Sequence, residues 1–185
     1  MNNSVSDLSS FTHQLHLTFG AKVKYACWLF ISNWFFLTNI PYPNRLKVFI
    51  LRLFGANIGK DCVIKPWVKI KLPWKLTIGD FVWLGESVWL DNISDITIGN
   101  HVCISQNALL LTGNHDYNSK SFDLRTNSIQ IENGVWVCAN ATVTGGVILK
   151  SHSVVGVGVT ISKDTTAYNI YINQQTIAVK KREIK

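Results

Sequence analysis

No two of the four cysteines, Cys27, Cys62, Cys103 and Cys138, stand at CxxC or any other paired spacing, which argues against a disulfide framework, a zinc ribbon or a redox dithiol. They read as small buried residues in a reducing compartment. No apolar run is long enough to cross a bilayer unaided. Met1 to Thr18 is polar and lacks the basic start and apolar centre of a secretory leader. Both absences point to a cytoplasmic chain. Acidic residues are few, 11 against 18 lysines and arginines, and the excess of seven positive charges gathers toward the ends. Lys22, Lys24, Arg45, Lys47 and Arg52 lie early, and Lys180, Lys181, Arg182 and Lys185 lie late. Such flanks hold phosphates, anionic lipid or nucleic acid, or simply stay solvated. No recognition helix, stacking platform or zinc-finger spacing accompanies them, so nucleic acid is not expected as a partner.

What the chain does have is a beat of six. Aliphatic residues fall at Ile58, Ile64 and Ile70, at Ile78, Leu84 and Leu90, at Ile98, Ile104 and Leu110, at Ile131, Val137 and Val143, and at Leu149, Val155 and Ile161. A small or polar residue often follows, as in Ile78-Gly79-Asp80 and Ile98-Gly99-Asn100. Each hexapeptide then supplies one strand and one corner, and three make one triangular coil, so the pattern predicts an all-β parallel β-helix of about five coils. An ordinary sandwich of alternating strands would not hold that phase. Two-residue insertions at Lys71 to Thr77 and Asn92 to Thr97 fit at corners. With 185 residues, 47% of them hydrophobic, there is chain enough for one domain with a full core.

Residues 1–55 do not repeat. Tyr25 to Ile40 is rich in aromatic and aliphatic residues, among them Trp28, Phe30, Trp34 and Phe35, and is interrupted by Ser32, Asn33, Thr38 and Asn39. It is too short and polar to span a membrane, but residues 22–54 could touch one peripherally, with aromatic rings at headgroup depth. After Pro41-Tyr42-Pro43, Arg45 to Phe54 has the spacing of a basic amphipathic helix. Both segments could equally cap the open first coil and hide its strand edges. The expected division is a helical segment over 1–55, a β-helix over 56–166 and a basic tail over 167–185.

The beat breaks between Leu111 and Ile129, where Thr112-Gly113-Asn114-His115-Asp116-Tyr117-Asn118 leads a long excursion. A loop ejected from a rigid scaffold is a usual place for function. His115 is the best acid–base candidate because imidazole titrates near neutrality. Asp116 could orient its ring, although neighbouring residues rarely point the same way, or it could structure the loop. Glu86, Asp91 and Asn92 fall at corners before the loop and, with Asn114, are candidates for binding an acceptor's hydroxyls. Exposed corner polarity is the plain alternative.

The beat, the stretch Leu111 to Tyr117, the later Gly134-Val135-Trp136-Val137-Cys138-Ala139-Asn140-Ala141 and the entry Arg52-Leu53-Phe54-Gly55-Ala56-Asn57-Ile58-Gly59 together resemble the hexapeptide-repeat acetyltransferases. The similarity extends to Pro73-Trp74-Lys75-Leu76-Thr77-Ile78-Gly79-Asp80, and it is to the branch of the colanic acid acetyltransferases, which modify exopolysaccharide sugars. The resemblance implies a left-handed β-helix, a homotrimer, acetyl-CoA bound between neighbouring prisms, and a saccharide acceptor. It makes His115 the general base for direct transfer. It also places Trp136, Ala139, Val157, Ser162 and Lys163 at the cofactor, with Lys180, Lys181 and Arg182 suitably charged for its phosphates. Gly156 and Gly158 serve either corner geometry or close approach of the pantetheine arm. The chain departs from many relatives at Ile172-Asn173-Gln174, where they carry a Gly-Asn-Pro turn.

Two other classes stay in view. Some hexapeptide-repeat proteins resemble carbonic anhydrases with zinc on three histidines. Here His101 and His152 share a place in the repeat but stand two coils apart, near 10 Å at about 4.8 Å per coil, so no metal is expected. A scaffold at the membrane without catalysis is the other.

Overall fold

The computed structural model describes residues 8–11 and 18–172, and the backbone of 177–181. Helices α1 (Phe19–Phe35) and α2 (Asn44–Leu53) precede the strands. The first coil is β1 (Asn57–Ile58), β2 (Val63–Ile64) and β3 (Lys69–Ile70), and the second is β4 (Leu76–Ile78), β5 (Trp83–Leu84) and β6 (Trp89–Asp91). The third is β7 (Ile96–Ile98), β8 (Cys103–Ile104) and β9 (Leu109–Leu111). A hairpin, β10 (Gly113–His115) and β11 (Leu124–Thr126), interrupts before the fourth coil, β12 (Ile129–Ile131), β13 (Trp136–Val137) and β14 (Thr142–Thr144). The fifth is β15 (Ile148–Leu149), β16 (Val154–Val155) and β17 (Thr160–Ile161), followed by β18 (Asn169–Ile172) and β19 (Ile177–Lys181).

The strands stack into three parallel faces of a left-handed β-helix. Face one is β1-β4-β7-β12-β15, face two runs from β2 through β5, β8, β13 and β16 to β18, and face three is β3-β6-β9-β14-β17. The register carries the beat. Ile58 pairs with Ile78, Ile78 with Ile98, Ile98 with Ile131 and Ile131 with Leu149, and the other two triplet positions form columns in the same way. All fifteen aliphatic positions are buried, each worth about 1.5–3 kcal/mol relative to exposure.

The Gly-Asp and Gly-Asn pairs that follow the first column have a steric reason. The Lys60 N–H donates to Asp80 Oδ1, that of Asp80 to Asn100 Oδ1 and that of Asn100 to Asn133 Oδ1, so a ladder of side chains satisfies the corner amides. A Cβ at Gly79 would lie 2.3 Å from Asn100 Oδ1 and 2.8 Å from the Gly99 carbonyl carbon, so glycine is needed beneath the next rung. The residue after each rung takes a left-handed conformation, at Asp61, Phe81 and His101, with φ between 53° and 58°. His101 stacks on Phe81 and His152 on Tyr168. Those histidines are thus corner stackers on one edge, with Gly134 between them in the column. Among the described residues no three His, Cys, Asp or Glu side chains group as metal ligands do.

The two helices cap the open end. Arg52 donates to the Ile58 carbonyl, Lys47 Nζ donates to the Ile64 carbonyl at 2.9 Å, Asn44 Oδ1 accepts from the Ile64 N–H, and Trp28 Nε1 donates to the Ile70 carbonyl at 2.7 Å. Each strand of the first coil therefore has an edge group paired by a cap side chain, as repeat folds require. At the other end the helix extends past residue 166. β18 pairs with β16 and places Tyr171 over Val155, and β19 returns antiparallel to β18. The stretch expected as a tail thus begins as a sixth, partial turn, because the last column needs an apolar lid and Tyr171 supplies it.

Candidate active site

The excursion is a two-stranded ribbon that leaves the edge between faces three and one. Its root is fixed by Thr112, which is buried and donates its hydroxyl to the Asp91 carbonyl at 2.8 Å while accepting from the Ser94 N–H. The Asn127 N–H returns to the Thr112 carbonyl. In the ribbon Gly113 pairs with Thr126, Asn114 with Arg125 and His115 with Leu124. Successive side chains of a strand alternate sides, so Asn114 and His115 leave the ribbon in opposite directions.

Beyond the ribbon the loop ties itself together. The Asp116 N–H donates to the Asp123 carbonyl, and Asp123 accepts from the hydroxyls of Ser119 at 2.7 Å and Ser121 at 2.8 Å, which hold its carboxyl below the usual range. Phe122 takes a φ of 52°. That left-handed turn, costly for a bulky residue, presents the Phe122 carbonyl to His115 Nδ1 at 2.8 Å. The two rings stack with centroids 4.2 Å apart and 8° between planes, and Phe11 meets the imidazole edge-on at 5.6 Å. A carbonyl oxygen only accepts, so the proton at this contact belongs to Nδ1. In the neutral ring the lone pair is then on Nε2.

Asp116 does not orient that ring. Its carboxylate pairs with Arg125 and accepts from the Asn118 N–H, so the orienting group is the Phe122 carbonyl, which no sequence signal singles out. Asn114 is exposed, and its Oδ1 accepts from the His115 N–H.

Two acceptor candidates are corrected. Asn92 is fully buried: Oδ1 accepts from the N–H groups of Lys71 and Leu72, and Nδ2 donates to the carbonyls of Leu72 and Lys75. All its capacity is used in stapling one inserted corner to the next. Asp91 is also buried, in an ion pair with Lys71 at 2.7 Å. Asp91 and Asn92 turn inward where the second inserted corner begins, whereas Asp95 and Thr97 further along it stay exposed. Glu86 is exposed, at the edge between faces two and three.

On face two, Trp83, Cys103 and Trp136 form an outward column, with the two tryptophans 56% and 46% exposed. Trp136 Nε1 donates to Ser105 Oγ at 2.9 Å. A groove of about 430 Å³ runs here, lined by Trp83, Glu86, Cys103, Ser105 and Gln106. Trp83 was missed from sequence, although an outward tryptophan just before the buried aliphatic recurs at Trp83-Leu84 and Trp136-Val137. Burial raises the thiol pKa of Cys103 and of Cys138, so neither is primed as a thiolate nucleophile.

Ala139 and Val157 sit at consecutive corners between faces two and three, where the Gly158 N–H donates to the Ala139 carbonyl. Gly158 has a φ of 67°, and a Cβ on Gly156 would lie 2.6 Å from the Tyr171 carbonyl, so corner geometry explains both glycines. Ser162 and Lys163 are exposed at the next edge, that of the ribbon, two coils beyond its root. The side chain of Lys180, whose backbone pairs with Ile170, and all of Arg182 lie outside the described residues, as do Asn173 and Gln174. One protomer therefore carries two separate groups: His115, Asn114, Ser162 and Lys163 on one edge, and Trp136, Ala139, Val157 and Glu86 on or beside face two. Face three lies between them.

No family model matches the chain. It is 35% identical over 178 residues, 96% of this chain and 98% of the relative, to the Escherichia coli (strain K12) protein called "Putative colanic acid biosynthesis acetyltransferase WcaF". Among solved structures it resembles a hexapeptide-repeat acetyltransferase of Vibrio cholerae O1 biovar eltor complexed with acetyl coenzyme A, at 17% identity and a TM-score of 0.78, covering 90% of this chain and 91% of that one. It also resembles a galactoside acetyltransferase in complex with coenzyme A, at 16% identity and a TM-score of 0.79, covering 91% and 85%. With that sequence relationship over nearly its whole length, and this fold, the chain belongs to the hexapeptide-repeat acetyltransferase family that includes WcaF.

Proposed function

We propose that the protein moves the acetyl group of acetyl-CoA to a sugar hydroxyl of an exopolysaccharide or related glycan precursor, with Nε2 of His115 as general base. The observation that carries this reading is the bond between His115 Nδ1 and the Phe122 carbonyl, which leaves Nε2 as the ring's acceptor. The hydroxyl oxygen attacks the thioester carbonyl carbon as Nε2 takes its proton. The tetrahedral intermediate collapses, the carbon–sulfur bond breaks, and the departing sulfur recovers the proton from the imidazolium. A sugar hydroxyl is a very weak acid and needs the base, whereas a thiol of pKa about 8.5 leaves readily. Raised thiol pKa values at Cys103 and Cys138 support direct transfer over a cysteine acyl-enzyme.

The site is completed in a homotrimer, with the ribbon of one protomer facing the tryptophan groove of the next. Support comes from the division of candidate residues between two edges of a single prism, and from the coenzyme in the solved relatives. Exposed Trp83 beside Glu86 and Gln106 offers a ring face and hydrogen-bonding groups, a combination that suits a sugar, while Trp136 further along the same column is kept for the coenzyme. Sugar as acceptor follows the relative's name. The four free cysteines suit the reducing cytoplasm.

The test is release of coenzyme A thiol from acetyl-CoA in the presence of oligosaccharide acceptors. His115→Ala, with circular dichroism and oligomeric mass retained, should lose about 10²–10⁴-fold in kcat. Undiminished turnover in that variant would overturn the mechanism.

A further inference from the structure

The helices that close the prism bury one side and leave an apolar side outside. On α1, Trp28 and Ser32 are buried, and Tyr25, Ile31 and Phe35 pack against the core. On the opposite side Phe19, Val23, Phe30 and Trp34, spaced four, seven and four apart, fall on one helical row. They are 83%, 48%, 65% and 60% exposed. On α2, Phe49 and Leu53 repeat the arrangement one turn apart, and both are exposed. Both helices lie on the first coil, so what they leave uncovered turns away from the prism.

Charge is one-sided in the same stretch. Residues 8–60 contain no Asp or Glu and six Lys or Arg, while all 11 acidic residues lie elsewhere. Lys47 and Arg52 are engaged on the first coil, and Lys24 stands 4.9 Å from the centroid of the Trp74 ring. Lys22 and Arg45 are exposed. Beside α2 a groove of about 510 Å³ is lined by Arg45, Arg52 and Lys60 together with Val48, Phe49 and one acid, Asp61. Cations beside exposed Phe and Trp on a helix are the composition of a segment that lies in a bilayer interface. Among the described residues no helix is long and apolar enough to cross a membrane.

We infer that the α1–α2 cap is a docking face for an anionic lipid surface. Phe19, Phe30, Trp34, Phe49 and Leu53 enter the headgroup boundary, and Lys22, Arg45 and the neighbouring basic groove take lipid phosphates. A second copy of the chain fits this face poorly, because apposed caps would bring cations together with no carboxylate from residues 8–60 to pair them. A bilayer supplies apolar depth and negative charge together and asks for no shape match. The inference is independent of acetyl transfer.

The test is cosedimentation of the full chain with phosphatidylcholine vesicles that do or do not contain phosphatidylglycerol, over a salt series. The expected result is binding to the anionic vesicles, weaker by about tenfold without phosphatidylglycerol and falling as salt rises. Phe30→Ser/Trp34→Ser and Lys22→Glu/Arg45→Glu should each reduce the partition coefficient by about tenfold, with thermal unfolding unchanged. No vesicle binding, or equal binding by the wild type and both variants, would overturn the inference. So would a change of solution mass in the Phe30→Ser/Trp34→Ser variant without lipid, which would give the face to a second copy.

Discussion

The imidazole of His115 lies flat on the ring of Phe122 and its Nδ1 meets the carbonyl oxygen of the same residue at 2.8 Å. One residue thus fixes both the plane of the base and its tautomer, and it can do so only because its backbone turns through a left-handed φ. The usual partner in such pairs is a carboxylate. Here the adjacent carboxylate, Asp116, is turned to Arg125.

Asp116→Asn should therefore be mild. Arg125 is exposed, so the lost ion pair is worth under about 1 kcal/mol, and kcat should stay within about threefold of wild type. A loss near that of His115→Ala in steady-state assays would show that Asp116 orients the ring after all. Phe122→Ala should act differently. It keeps the carbonyl but removes the stack, so kcat should fall by about tenfold while KM for acetyl-CoA holds.

Asn92→Ala should unfold the protein more easily without touching the acceptor. It leaves the Leu72 N–H without its acceptor in a buried corner, while the Lys71 N–H keeps the Leu90 carbonyl and the Leu72 carbonyl keeps the Lys75 N–H. The expected cost is about 1–3 kcal/mol, a fall in Tm of roughly 2–12 °C. At temperatures where the variant stays folded, KM for the acceptor should change by less than about twofold. An unchanged Tm with a raised KM would return Asn92 to the acceptor site.

Gly145→Ala tests how firmly the ribbon is rooted. A Cβ there would stand 2.8 Å from the Asn127 carbonyl oxygen and 2.9 Å from that of Thr112, the two residues where the ribbon leaves and returns. Both contacts are backbone, so relief must move the root of the ribbon that carries His115. Thermal unfolding should show about 1–3 kcal/mol of destabilisation, with a drop in kcat beyond what the lost folded fraction explains. A stable variant of full activity would mean that the ribbon's root is not held against Gly145.

The coil was legible because its evidence is periodic. An inward aliphatic every six residues has one arrangement that buries all of them, and Ile58 through Ile161 occupy it in register. The excursion carrying His115 was legible as the place where that period stops. What escaped were features that depend on where backbone points. Asn92 reads as a surface corner residue until the start of the insertion is seen to turn inward, and Phe122 reads as loop filler until its φ aims a carbonyl. Tyr171 lies among basic and polar residues that suggest a tail, and only the unfinished column above Val155 explains its burial.

Lys47 offers a check on the cap through pH. Its ammonium is buried beneath the first coil, donating to the Ile64 carbonyl, and desolvation, with Lys65 nearby, lowers its pKa from the ordinary 10.5. Between that lowered folded value and 10.5 the unfolded chain keeps a proton that the folded chain has released. Stability must then rise with pH through this window and level off above it. Lys47→Met keeps an unbranched apolar stem but cannot titrate. The difference in unfolding free energy between wild type and Lys47→Met, from urea titrations at about pH 7 to about pH 10, should move in favour of wild type as pH increases. Every other titrating group is common to both proteins and cancels. A difference that stays flat would place the ammonium in water and remove Lys47 from the set of groups that close the first coil.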